Sequence, residues 1–209
     1  MFSCFNAIKK YLRESLFPVF CLGCGKEGEP VCDECFKTIN TIGMFGHYHF
    51  AVTPYREDWL IGKIVRGFKY NYVEELSIVI EKLVSEFVEK HLDYFLNTDY
   101  IVPVPLHKKR EAERGFNQSE LIAQVVSKIS RKPIFNLLTR CHNTRHQARL
   151  NREERLVNVK DAFVAPQKVS GKILLVDDVY TTGSTMRECT CVLLKAGADR
   201  VCGFSLARG

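Results

Sequence analysis

The chain has 209 residues, 46% of them hydrophobic and 26% charged, which suits one α/β domain with a good core and a small appendage. No apolar run approaches the roughly 20 residues of a membrane span. The start, MFSCFNAIKKYLRESLF, lacks the apolar core and cleavage site of a signal peptide, so a cytoplasmic location is expected. The net charge of +6 is concentrated: residues 107–155 carry twelve Lys or Arg and five Glu, a net of +7. Such a block calls for an anionic partner, either a polyphosphate or a nucleic acid.

The first residues read as a short amphipathic helix, with Phe5, Ile8, Tyr11, Leu12 and Leu16 on one face. Two CxxC knuckles follow, Cys21-Leu22-Gly23-Cys24 and Cys32-Asp33-Glu34-Cys35, separated by seven residues. Gly23 and Gly25 allow the tight turns that bring backbone amides to thiolate sulfurs. The spacing suits a closed, four-sulfur structural zinc site. A redox pair would be single and lie at a helix start beside a strand. So short a segment has little core, and metal binding would supply its folding energy. Of the remaining cysteines, Cys189, Cys191 and Cys202 are expected to be small buried apolar residues.

Residues 43–58 contain a strand around Tyr48–Val52, broken by Pro54. His47 and His49 alternate with Tyr48 and Phe50; they share a face and could bind metal, but an ordinary half-buried strand is the better account. Trp59–Tyr72 is mixed and basic. Val73–Leu96 reads as one long helix whose stripe, Leu76, Ile80, Leu83, Phe87 and Leu92, faces the core.

Tyr100–Leu106, YIVPVPL, is a second strand, which Pro103 and Pro105 should end. A basic loop carrying Lys108, Lys109, Arg110 and Arg114 leads to a helix over Leu121–Ile129, capped by Asn117 or Ser119. Pro133–Leu138 reads as a further short strand. Thr139–Lys160 is too polar for core and carries Arg140, Arg145, Arg149, Arg152 and Arg155. It is either a mobile lid over an anionic ligand or a nucleic-acid-binding arm.

Lys172–Thr185, KILLVDDVYTTGST, organises the whole. Ile173–Val176 reads as a strand buried on both faces, with Asp177 and Asp178 where it should end. The loop Thr181, Thr182, Gly183, Ser184, Thr185 then enters a helix over Met186–Ala196. Loop amides, hydroxyls and a helix N-terminus converging on one spot suit a phosphate. The two acids want sugar hydroxyls or a divalent cation. Together they describe a ribose 5-phosphate. In a parallel sheet the basic loop at Lys108–Arg114 should face this one across a cleft, which adds room for a pyrophosphate. Arg200–Ala207 forms the last strand.

This stretch resembles the 5-phosphoribosyl 1-pyrophosphate (PRPP) motif of type I phosphoribosyltransferases. With CLGC…CDEC, FKYNY, VPVPLHKKREAERGFNQSELIA, Thr144…Gln147…Leu150…Arg155…Asn158 and VDDVYTTGST…LLKAGA, nearly the whole chain resembles the ComF competence family. That resemblance implies an α/β type I phosphoribosyltransferase fold with a small N-terminal zinc-binding module. It divides the chain into 1–42, the helix and four-cysteine module, and 43–209, with a hood at 43–98 and a PRPP-binding core at 99–209. Asp177 and Asp178 would be catalytic, contacting the ribose hydroxyls. Thr181–Thr185 would hold the 5-phosphate, and Lys108, Lys109, Arg110 and Arg114 the pyrophosphate with Mg²⁺. Arg145, Gln147, Arg149, Arg152 and Arg155 would form the lid or contact nucleic acid, and Cys21, Cys24, Cys32 and Cys35 would bind Zn²⁺. The alternative is a single-stranded-DNA-binding competence protein without catalysis, working with other competence proteins.

Overall fold

A computed structural model describes residues 18–45, 48–70, 73–142 and 161–209. The amphipathic N-terminal helix, His47, Asn71–Tyr72 and the segment holding Arg145, Gln147, Arg149, Arg152 and Arg155 lie outside the described residues.

Alternation of apolar side chains about β6 (Lys172–Tyr180) generates the layers. Leu174 and Val176 enter one buried cluster, while Ile173 and Leu175 enter a second on the opposite face. β6 lies between β3 (Tyr100–Pro103) and β7 (Arg200–Arg208), parallel to both. β2 (His49–Pro54) runs parallel to β7, and β1 (Gly43–Phe45) closes that side antiparallel to β2. The order is therefore β1-β2-β7-β6-β3, and the four parallel strands deliver their carboxyl ends to one edge.

On the first face lie α2 (Leu60–Tyr70), α3 (Val73–Lys90), α4 (Leu92–Leu96) and α6 (Gln118–Ser130). Leu76, Ile80, Leu83 and Phe87 are buried as their spacing predicts. The second face is covered by α7 (Ser184–Lys195) and a two-stranded ribbon, β4 (Thr139–Arg140) with β5 (Phe163–Val164). α1 (Asp33–Lys37) belongs to the cysteine segment, whose Val31 and Phe36 pack on the first cluster. Lys63 Nζ donates to the Leu22 carbonyl at 3.0 Å, and Lys82 Nζ pairs with Asp33 at 3.1 Å.

Several expectations are corrected. The mixed stretch after Trp59 is helix α2: Ile61, Ile64, Val65 and Phe68 are buried at helical spacing, with Lys63 and Arg66 on the exposed side. The long helix is broken at His91, which adopts φ −120° and ψ 29°. β2 is buried over five of its six residues rather than half-buried, because β1 and β7 flank it. The expected strand at 133–138 reduces to a bridge between Ile134 and Ile101. There the chain crosses layers: Ile134 packs on the first cluster, Leu137 and Leu138 on the second. Cys189 and Cys202 are buried as expected, but Cys191 is exposed on the outer side of α7.

His49 is 8% exposed and its Nε2 lies 3.2 Å from Ser205 Oγ. Its ring centroid is 4.6 Å from that of Tyr180. Burial first, and then the Arg208 charge, pull its pKa from 6.5 to about 3. The unfolded chain therefore takes up a proton that the folded chain refuses, so stability is present above pH 6.5 and lost as pH falls toward 3. Urea unfolding should show a loss approaching about 1.4 kcal/mol per pH unit in that window. His49→Gln should remove most of this slope; an unchanged slope would refute the assignment.

Candidate functional site

The carboxyl edge of the sheet gathers three segments. The first is the turn from β6 into α7. Gly183 is the helix N-cap, with φ +72°, and a Cβ there would collide with the Tyr180 hydroxyl. Glycine therefore answers both a left-handed backbone and a close approach. Thr182 Oγ1 lies 3.0 Å from Ser184 Oγ and accepts weakly from the Ser184 amide at 3.4 Å. Asp177, Val179, Tyr180, Thr181, Gly183, Ser184, Thr185 and Met186 line one small concavity at the start of this 12-residue helix. Thr182 holds Ser184 in that lining. An anion there would meet the positive end of the helix.

Asp177 and Asp178 do not end the strand as expected. Asp177 pairs with Ser205 in register, and the ladder continues to Tyr180 opposite Arg208. The acids are held there by local bonds. Asp177 Oδ1 accepts from Ser119 Oγ at 3.1 Å and from the Asp178 amide at 2.9 Å. Asp178 Oδ1 accepts from the Val179 amide at 2.7 Å.

The second segment is the basic stretch after β3, which is helix α5 (Lys108–Arg114) rather than a loop. His107 Nδ1 caps it by accepting from the Lys109 amide, and Gly115 ends it in the left-handed conformation. One turn of helix sorts its cations. Arg110 is buried and Arg114 is half-buried, its Nη1 donating to Gln118 Oε1 at 3.1 Å, whereas Lys108 and Lys109 are exposed. Asn117 fixes the next turn: its side chain donates to the Val104 carbonyl at 3.0 Å and accepts from the Ser119 amide at 3.1 Å. Ser119 is thereby aimed at Asp177.

The third segment, β4, supplies Arg140, which the sequence assigns to a polar lid or arm at Thr139–Lys160 but which the fold buries in a strand. Arg140 is 7% exposed, with its guanidinium 5.2 Å from the centroid of the Phe163 ring. Burial first, and then the neighbouring Arg110 charge, lower its pKa to about 10, while Asp177 acts in the opposite sense. Asp177, Arg110 and Arg140 thus form one electrostatic group. A buried arginine carries no mark in sequence that separates it from a solvated one, whereas Ser119 was legible only as a helix cap.

The structure brings Asp177, Asp178, Thr181, Gly183, Ser184, Thr185, Arg110 and Arg114 to one edge and turns Lys108 and Lys109 outward. Among the described residues no group of three or more acidic or histidine side chains forms a cation cage there.

A separate centre lies in the N-terminal segment. Ligand atoms of Cys21, Cys24, Cys32 and Cys35 all fall within 4.8 Å of one another. Cys21 Sγ and Cys24 Sγ each lie 3.7 Å from Cys32 Sγ. A tetrahedron with metal–sulfur bonds of about 2.3 Å has edges of about 3.8 Å, which these two separations match, and all four sulfurs are close enough to share one ion. Although burial raises the Cys21 pKa, amides of Cys24, Cys32 and Gly23 bring it down to about 6, whereas hydrogen bonds with Cys21 and Cys32 push Cys35 up to about 12, so Cys21 is the readier thiolate of the two. A Cβ on Gly23 would lie 2.6 Å from Cys35 Sγ, so only glycine leaves that sulfur in place.

No family model matches the chain. It is similar to Competence protein F of Haemophilus influenzae, 30% identical over 205 residues that cover 92% of this chain and 85% of that one. It is also similar to Competence protein ComFC of Bacillus subtilis, 28% identical over 214 residues, covering 99% of this chain and 83% of that protein. Over 112 residues it is 40% identical to DNA utilization protein YhgH of Escherichia coli, covering 53% of this chain and 49% of that protein. Among solved structures, a purine phosphoribosyltransferase from Pyrococcus horikoshii aligns with a TM-score of 0.35 and 13% identity, covering 62% of this chain and 80% of that chain.

Proposed function

Because the chain belongs to the ComF family of competence proteins, we propose that it binds PRPP and transfers its phosphoribosyl group with release of pyrophosphate, in the service of DNA uptake or utilization. One observation carries the proposal: the Asp177–Asp178 pair, the Thr181–Thr185 turn at the head of α7, and the Arg110–Arg114–Arg140 cations share one edge of the sheet.

In this assignment Thr181–Thr185 bind the 5-phosphate through amides and hydroxyls. Asp178, and Asp177 as held by Ser119, orient the ribose hydroxyls. Arg110, Arg114 and Arg140 bind pyrophosphate and stabilise the charge it gains as the C1–O bond breaks. Lys108 and Lys109, being exposed, steer the ligand rather than grip it. Mg²⁺ arriving with PRPP would supply charge neutralisation; the two aspartates fit its preference for few carboxylates and many ligand oxygens. The four cysteines fit Zn²⁺ as a closed structural site, in a module spanning 1–42 ahead of the 43–209 domain. Arg145, Gln147, Arg149, Arg152 and Arg155 would close over the ligand to exclude water.

The net +7 of residues 107–155 favours a second reading, in which this block also grips single-stranded DNA through its phosphates. Calorimetry with PRPP and Mg²⁺, followed by a pyrophosphate-release assay over a panel of bases and amines, tests the primary one. Saturable binding with release for at least one acceptor is expected. Binding without release from any acceptor would leave a PRPP-responsive binding protein, and no binding would overturn the assignment.

A further inference from the structure

A second concavity, of about 300 Å³, opens at the same edge of the sheet. Thr38, Ile39 and Asn40 line it from the chain after α1, Thr53 from β2, Trp59 from the residue before α2 and Ile61 from its first turn. None of these residues belongs to the site described above. The strand register relates the strands that border them. Thr53 pairs with Ala207 on β7, and Ala207 in turn pairs with Val179 on β6, so about 10 Å, two strand spacings, separates β2 from β6. Gly209 bridges that gap. Its amide donates to the Tyr180 carbonyl at 2.8 Å, and a Cβ on it would touch both Thr181 and Tyr55 at 3.6 Å.

The lining dictates what fits. Trp59 is 39% exposed, and the Arg56 guanidinium lies 5.0 Å from its ring centroid, holding the indole in place. An exposed, braced indole is a stacking surface for another flat ring. Ile39 and Ile61 add apolar wall. Thr38 and Thr53 donate their hydroxyls to the Cys35 and Pro54 carbonyls and so present acceptor oxygens, while the Asn40 amide offers donor and acceptor together. Among the described residues no charged side chain lines the cavity, so its walls suit neither a phosphate nor a carboxylate. Its volume is at the small end of ligand pockets, roughly 300–1,000 Å³.

We infer that this cavity receives a neutral planar heteroaromatic ring of the nucleobase type, stacked on Trp59. Base binding stands by itself; the further role of acceptor site rests on the PRPP assignment above. In that role a ring nitrogen forms the new C–N bond to ribose C1, pyrophosphate leaves with the electron pair of the broken C–O bond, and the ring N–H proton passes to solvent.

Trp59 is the chain's single tryptophan, so its emission reports the cavity directly. Adenine, hypoxanthine and uracil are titrated separately, with and without PRPP and Mg²⁺, and a single-stranded oligonucleotide is titrated in parallel. At least one base should quench saturably. Thr38→Phe, which fills the mouth from an exposed position, should weaken that binding at least about tenfold while leaving the calorimetric affinity for PRPP unchanged. Quenching by the oligonucleotide alone would assign the cavity to a base of single-stranded DNA rather than to a free acceptor, with the same stacking chemistry. No saturable change under any condition, or equal quenching in Thr38→Phe, would overturn the inference. If PRPP binds and no base does, the cavity assignment fails alone; if bases bind and PRPP does not, the PRPP assignment fails alone.

Discussion

Asp178→Asn is expected to lower the affinity for PRPP in the presence of Mg²⁺ by about 100-fold, close to 2.7 kcal/mol. The substitution keeps the shape of the side chain and an oxygen for the Val179 amide, its partner at 2.7 Å. What it removes is the negative charge offered to the ribose hydroxyls and to the cation that travels with the ligand. A charge-assisted hydrogen bond is worth roughly twice a neutral one. The melting temperature should stay within a few degrees, because Asp178 is half-buried at the sheet edge rather than in a core cluster. Unchanged PRPP affinity by calorimetry would sink the assignment of this edge to PRPP.

Asp177→Asn should behave differently, and the contrast is informative. Asp177 accepts from Ser119 and the Asp178 amide and faces the buried Arg110–Arg140 pair. Removing its charge leaves two buried guanidinium groups with less compensation, which costs stability as well as affinity. Binding of single-stranded DNA, if the basic block performs it, should persist or strengthen in this variant, since one negative charge is gone. PRPP binding and DNA binding would then separate on a single side chain.

Much of this edge is legible in the sequence, and the rest is not for definable physical reasons. Ile173–Val176 announces a strand buried on both faces because four consecutive apolar residues have no polar side to present. The strand runs past its expected end because Asp177, which looks like a strand breaker, has its carboxylate bonded by Ser119 and the Asp178 amide while its backbone stays paired with Ser205. α5 escaped notice because a seven-residue helix carrying KKREAER has no apolar stripe; its only sequence marks are the caps, His107 and Gly115. Arg140 reads in sequence as one arginine of a polar lid or arm, since burial is a property of the fold around it. The cavity beside Trp59 is assembled from three separated segments with no motif among them, so sequence spacing alone could not suggest it.

Removing the metal from the four-cysteine site should have the second large effect. Purified protein is expected to carry one zinc per chain. Cys24→Ser with Cys35→Ser should abolish it and lower the melting temperature by about 10 °C, equivalent to roughly 3–5 kcal/mol for a chain of this size. The segment has little else to hold it. Within residues 18–42 only Cys21 and Val31 are buried apolar side chains, and α1 has five residues, far below the length at which a helix persists alone. Folding free energy here is metal-binding free energy. Loss of the site would release the Leu22–Lys63 and Asp33–Lys82 contacts and uncover the part of the first cluster that Val31 and Phe36 protect. The sheet itself should survive, since β6, β7 and β3 take nothing from this segment. PRPP binding should therefore persist in the zinc-free protein, whereas the wall formed by Thr38, Ile39 and Asn40 should collapse, and base binding at Trp59 with it. Metal analysis, calorimetry and the Trp59 titration on the same sample decide this. Zinc retained by the double variant, or base binding that survives its loss, would refute the coupling.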